Sequence, residues 1–234
     1  MTVTNSTHVL VAIPCYNTEK HVARVVAGAK KHARTVVVID DGSIDSTAEQ
    51  AKLSGAEVFT HVSNTGYGGA LKSCFRVANC FKPDILVIID GDGQHEPEEI
   101  PRLLDSITGK KADLVIGSRF LMNANFVPGY RVFGIRVINF LWNFGAKEKV
   151  TDSQSGFRAY AKNVYENMIV NERGMSASIE ILERVRKNRF KIEEVPITCN
   201  YNQQNSRVVF SSIKQGLSVA VNLVRIRILS FFWH

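Results

Sequence analysis

The chain has 234 residues, 45% of them hydrophobic and 22% charged. That balance excludes a disordered chain and fits one large α/β domain, or one domain with an appended tail. The formal charge of +7 points to an acidic partner: a phosphorylated ligand, an anionic membrane surface or a nucleic acid.

The apolar run from His8 to Ile13, ending at Pro14, reads as a fully buried strand. Val22, Val25, Val26 and Ala29 then recur at helical spacing. Val36 to Ile39 make a second, β-branched strand closed by Asp40-Asp41-Gly42-Ser43. Asp45 is placed to cap a helix over residues 46–53 that stops at Gly55. Glu57 to Thr60 is a short third strand, and Ala70, Leu71, Cys74, Phe75 and Ala78 mark the next helix. Ile85 to Ile89 is the fourth strand and Asp113 to Gly117 the fifth. Further on, Phe133, Val137, Phe140, Leu141 and Phe144 mark an amphipathic helix, Ser176 to Lys187 another, and Phe190 to Val195 a late strand. Strands alternating with helices predict parallel βαβ units, in which ligands collect beyond the carboxyl ends of the strands.

The four cysteines, Cys15, Cys74, Cys80 and Cys199, form no C-x-x-C pair and no zinc spacing, so a reduced, cytoplasmic setting is expected. The largely polar first eight residues lead into no basic-then-apolar run, so no signal peptide is expected.

Three predicted strands end in polar clusters: Pro14-Cys15-Tyr16-Asn17, Asp40-Asp41-Gly42-Ser43 and Asp90-Gly91-Asp92. On an extended segment Asp90, Asp92 and Gln94 point the same way, and three oxygen-bearing side chains there suit a hard cation such as Mg²⁺ or Mn²⁺. The competing reading is a solvated acidic turn. Asp40 and Asp41 at a neighbouring tip favour the cation, because four close carboxylates repel one another without one. The loop Asn64-Thr-Gly66-Tyr-Gly68-Gly69, followed by Lys72, opens a helix whose backbone N–H groups suit an anion. A tight turn with close helix packing explains the same glycines, and the spacing is not that of a P-loop.

Pro14-Cys-Tyr16-Asn17, Asp40-Asp41-Gly42-Ser43, Asn64-x-Gly66-x-Gly68, Asp90-Gly-Asp92-Gly-Gln94-His95-x-Pro97, Gly117-Ser118-Arg119 and Asp152-Ser-Gln-Ser155-Gly156-Phe157-Arg158 occur in that order. The series resembles glycosyltransferase family 2 enzymes with a GT-A fold, and among them the dolichyl- or polyprenyl-phosphate mannose and glucose synthases. The resemblance spans roughly residues 8–207. It implies a Rossmann-like nucleotide-diphospho-sugar transferase fold with a mostly parallel sheet. It also implies donor binding by Pro14, Tyr16, Asn17, Asp40, Asp41, Gly66, Lys72, Asp90 and Asp92, with the metal on Asp90, Asp92 and Gln94. Asp92, Arg119 and Asp152 would carry catalysis. Arg119, Arg131, Ser155, Arg158 and Arg207 would meet the acceptor and its phosphate. Thr18 stands where many relatives place Glu directly after Tyr-Asn, and Glu19 follows one position late.

The implied reaction is an inverting, in-line displacement that moves mannose or glucose from GDP-mannose or UDP-glucose to a polyprenyl or dolichyl phosphate. A phosphate monoester is largely ionised near neutral pH, with a second pKa of about 6, so it needs no strong base. An acceptor sugar hydroxyl would need one, with Asp152 the candidate. A non-catalytic nucleotide-sugar or membrane-binding module is the alternative from another class. Nucleic acid is not an expected partner, because the positive charge is scattered and no module signature is present.

The catalytic domain is expected over residues 1–207 and a C-terminal amphipathic helix over 208–234. Ile213, Leu217, Ala220, Val221, Val224 and Ile228 lie at helical spacing, and Arg225 and Arg227 argue against a membrane span. The tail reads either as an interfacial helix, placing the enzyme peripherally on the cytoplasmic face of a membrane, or as a helix packed on the domain.

Overall fold

The computed structural model describes residues 7–121, 129–144, 146 and 148–200. Seven strands form one sheet in the order β3-β2-β1-β4-β6-β5-β7. The parallel half follows the expected alternation: β1 (Val9–Cys15), α1 (Val22–Ala29), β2 (Thr35–Asp40), α2 (Thr47–Leu53), β3 (Glu57–Thr60), α3 (Tyr67–Phe81) and β4 (Ile85–Ile88). After a 3₁₀ turn at Pro97–Glu99 come α4 (Ile100–Thr108) and β5 (Leu114–Ser118). The chain continues through α5 (Gly129–Asn143), β6 (Arg158–Ala161), α6 (Lys162–Tyr165), α7 (Ala177–Lys187) and β7 (Ile192–Pro196).

Both faces of the sheet are covered. Leu10 and Ala12 point to a layer built with α3, α5, α6 and α7, whereas Val9, Val11 and Ile13 point to a layer built with α1 and α4. This alternation along one wholly apolar strand is why β1 carries no polar face. Val22, Val25, Val26 and Ala29 are fully buried on α1, as their spacing predicts. Asp45 sits one residue before the N-cap, which is Ser46 and not Asp45 as expected, yet its Oδ1 accepts the Thr47 N–H at 3.0 Å and the Thr47 hydroxyl at 2.5 Å at the start of α2.

Two features depart from the sequence expectation. Strand β6 is absent from the pattern Arg158-Ala-Tyr-Ala, which has no β-branched residue. It is made by its neighbours: it runs antiparallel between β4 and β5, with Ile88 and Ile116 both opposite Arg158. The second concerns α5. Phe133, Val137, Phe140 and Phe144 face outward, while Ile135, Ile138, Asn139 and Trp142 are buried. The helix is amphipathic at the right period, but the aromatic stripe lies on its solvent side.

No helix among the described residues is long and apolar enough to cross a membrane. The expected C-terminal helix over 208–234 lies outside the described residues.

Candidate active site

The carboxyl ends of β1, β2, β4 and β5 lie at one edge of the sheet, and the antiparallel β6 begins there. Its first residue, Arg158, therefore follows a loop that sits beside the ends of β4 and β5. This is how residues 152–157 reach Asp90.

Asp90 follows directly on β4 and Ile89. The chain then turns sharply instead of staying extended, with Gly93 at φ +74°, so the even-spacing argument for three parallel ligands does not describe the geometry. The turn is pressed onto β1: a Cβ on Gly91 would lie 2.3 Å from Cys15 Sγ. Asp92 Oδ1 accepts the Gln94 N–H at 3.0 Å, while Gln94 Oε1 is 4.0 Å from the Cys199 thiol. Cys15 itself stays protonated, its pKa pushed up to about 12 chiefly by burial.

Asp90 is an uneasy carboxylate. Its Oδ1 is buried without a hydrogen-bond partner. Burial, and then the charge of Asp92, raise its pKa to about 7 against the opposing pull of Arg119, a Tyr67 hydrogen bond and Arg158. Its other side is walled by Gly156, where any Cβ would fall 2.0 Å from Asp90 Oδ2. An orphaned buried oxygen beside a second carboxylate fits a hard divalent cation. Among the described residues no group of three or more His, Cys, Asp or Glu side chains could hold one alone. A pair of carboxylates is the donor set expected for an ion that also takes substrate phosphate oxygens.

At the end of β5, Arg119 and Asp152 form a buried, two-pronged ion pair. Nε and Nη2 of Arg119 each lie 2.7 Å from a different Asp152 oxygen, and the Arg119 backbone N–H adds a third bond at 3.0 Å. Asp152 is wholly buried. Glu194 on β7 fixes this loop from behind, accepting the Thr151 and Asp152 N–H groups at 2.7 and 2.9 Å.

The Glycosyl transferase family 2 model matches residues 10–169. The chain belongs to that family. It is a hexosyltransferase similar to the polyprenyl-phosphate sugar synthases. It is 31% identical over 231 residues to the polyprenol monophosphomannose synthase of Mycolicibacterium smegmatis, covering 92% of this chain and 86% of that one. It is 30% identical over 214 residues to the UDP-N-acetylglucosamine–dolichyl-phosphate N-acetylglucosaminyltransferase of Methanococcus voltae, covering 82% and 85%. In fold it matches glucosyl-3-phosphoglycerate synthase of Mycobacterium tuberculosis, crystallised with Mn²⁺, UDP-glucose and phosphoglyceric acid. The TM-score is 0.73 at 19% identity, over 93% of this chain and 80% of that one.

Several expected donor residues of this family 2 enzyme take structural tasks. Asp41 turns away from Asp90 and into the start of α3. It accepts bonds from the Thr65 hydroxyl at 2.6 Å, the Thr65 N–H at 2.9 Å and the Gly66 N–H at 2.9 Å, and lies 2.6 Å from His61 Nδ1. The expected anion at this helix start is thus the protein's own carboxylate, and the four aspartates do not form one cluster. Gly66 and Gly68 serve the close-packing reading: the Gly68 N–H donates to the Arg173 carbonyl at 2.8 Å, and a Cβ on Gly68 would fall 1.9 Å from the Glu172 carbonyl oxygen. Lys72 is exposed one turn further on.

At the neighbouring tips, buried Asp40 accepts the Ser43 N–H at 3.2 Å, and buried Pro14 leads to exposed Tyr16. Asn17, at φ +54°, binds the Ser43–Ile44 loop from both sides. Glu19 accepts the Ser46 N–H at 3.0 Å, tying the same two loops together.

Arg158 is not placed to grip an acceptor. It is buried, and its guanidinium donates to the carbonyls of Ser155, Ser178 and Ser153. Buried Ser155 accepts the Phe157 N–H. Arg131 lies on α5 with its side chain outside the description, and Arg207 lies outside the described residues altogether.

Sequence reasoning missed Tyr67, Glu194 and Asn139. Tyr67 stands inside the glycine motif and pulls the Asp90 pKa down; its place between two glycines was the available signal. Nothing local marks Glu194 or Asn139, whose partners are distant in sequence.

Proposed function

We propose that this enzyme moves a hexose, mannose or glucose, from a nucleotide-diphosphate sugar to a polyprenyl phosphate, with inversion, on the cytoplasmic face of a membrane. Asp90 and Asp92 would hold Mg²⁺ or Mn²⁺, with Gln94 able to join after turning from Cys199. When bound, the cation neutralises charge on the departing nucleoside diphosphate. Pro14, Tyr16, Asn17 and Asp40 would border the nucleoside at the ends of β1 and β2.

The observation that carries the acceptor choice is the Arg119–Asp152 pair. A sugar hydroxyl needs a base to take its proton. Asp152, the candidate base, is wholly buried and has both oxygens committed to Arg119. An ionised phosphate needs no base. It needs positive charge held at a fixed place, and Arg119 is so held. The names of the two relatives, each with a lipid phosphate product or acceptor, support the same choice.

The test is incubation with GDP- and UDP-sugars, Mg²⁺ or Mn²⁺, and polyprenyl phosphate, alongside soluble sugar acceptors. Lipid-linked product is expected. Product only on soluble sugars would replace this reading with the hydroxyl-acceptor one. Asp92→Ala should abolish turnover and Mn²⁺ binding while the circular dichroism spectrum is unchanged.

A further inference from the structure

Helix α5 has two working faces. Its inner face is bolted to the loop that carries Asp152. Asn139 donates to the Thr151 carbonyl and accepts the Ser153 N–H at 3.1 Å and hydroxyl at 2.6 Å, and Asn143 exchanges two bonds of 2.9 Å with Val150. Its outer face shows Phe133, 72% exposed, Val137, 38%, and Phe140, 70%. These residues fall at i, i+4 and i+7, one continuous stripe. Leaving two phenylalanines in water forfeits the burial that such side chains normally gain.

We propose that this stripe is where the enzyme rests on an anionic lipid surface. Charge selects the partner. The 15 residues of α5 contain Arg131 and Arg136 and no Asp or Glu, and Arg136 is exposed beside Val137. A helix with an exposed aromatic stripe whose charged residues are all cations fits the interface of an anionic bilayer. Two other occupants carry the wrong charge. The chain's own residues 208–234 also contain no Asp or Glu but hold Lys214, Arg225 and Arg227. A second copy would bring the same cationic face, with no Asp or Glu on α5 to pair with Arg136. This assignment rests on the polyprenyl phosphate reading and deepens it: through Asn139, lipid contact on one face orients the Asp152 loop on the other.

The test uses the full chain and vesicles of phosphatidylcholine with phosphatidylglycerol, containing no polyprenyl phosphate. Partition into vesicles is compared for the parent, for Phe133→Ser with Phe140→Ser, and for Leu53→Ser, an exposed residue on α2. Removing each of these exposed phenylalanines should weaken partition about tenfold, and Leu53→Ser should change nothing. In Phe140→Trp, fluorescence above the parent's should be quenched by brominated lipid. Three results would each overturn the proposal: partition unchanged in the double variant, no added quenching, or a lipid-free dimer that the double variant splits. Transfer to a water-soluble short-chain prenyl phosphate is measured in parallel and should be equal in parent and double variant. Its absence in both would sink the proposed function while leaving the partition result to decide the surface.

Discussion

Arg119 and Asp152, 33 positions apart, meet in a buried two-pronged ion pair at the end of β5. Removing one partner of such a pair strands a charge in a poorly solvated place, at a cost of about 3–5 kcal/mol. Asp152→Ala should therefore lower the urea midpoint by a corresponding amount. Asp152→Asn keeps the shape and loses the charge. If Asp152 positions Arg119 and is no base, this variant should turn over more slowly while the acidic limb of its residual pH–rate profile stays where it was. A displaced acidic limb would restore Asp152 as the base.

Gly156 makes a prediction about Asp90. With a Cβ 2.0 Å from Asp90 Oδ2, Gly156→Ala must move either the carboxylate or the loop. Mn²⁺ affinity, read by electron paramagnetic resonance, should fall at least tenfold. Unchanged affinity would mean either that the loop gives way and the carboxylate stays in place or that Asp90 is not a ligand. Asp90→Ala, which removes the carboxylate outright, separates the two: affinity retained there excludes Asp90.

Asp41 carries a pH dependence of known sign. Burial raises its pKa, but hydrogen bonds from Thr65, His61 and Gly66 outweigh that and hold it below the ordinary value. An acid lowered by folding stabilises the protein above its unfolded pKa and loses that contribution as pH falls through the folded value. Wild-type stability should fall on acidification below about pH 4. Asp41→Asn should cost about 1–3 kcal/mol at neutral pH and show less of that acid loss. Parallel curves for the two proteins would contradict this.

Glu194 reaches the active-site edge through the backbone N–H groups of Thr151 and Asp152. Glu194→Gln offers one acceptor where two are needed, leaving one N–H of Thr151 or Asp152 facing an amide NH₂. The expected cost is about 1–3 kcal/mol. Because the loop holding Arg119 loosens, kcat should drop more than KM rises. An effect on stability alone would make Glu194 structural only.

Much of the fold was legible locally. The strands β1, β2 and β4 are runs of Val, Ile and Leu, and α1 and α3 show their buried faces as periodic apolar residues. The place of the site also followed, since polar clusters after such strands fall together at the sheet's carboxyl edge. Partnerships did not follow. Asp40, Asp41, Asp90 and Asp92 look alike in sequence. Their environments differ: Asp41 is consumed by α3, Asp40 by its own turn, and Asp90 alone keeps a buried oxygen without a partner. Likewise the stripe on α5 has the period of a core face, and period alone carries no sign for inside or outside.

The sequence by itself determined the alternation of strands and helices, the family and the identity of the acidic turn, because each depends on neighbouring residues and backbone propensity. Only the tertiary structure decided that β6 enters antiparallel between β4 and β5, that Asp152 grips Arg119, and which face of α5 meets solvent. Those outcomes depend on hydrogen-bonding and packing partners tens of residues away. A short segment such as Arg158 to Ala161 becomes a strand only when two finished strands offer it their unpaired edges.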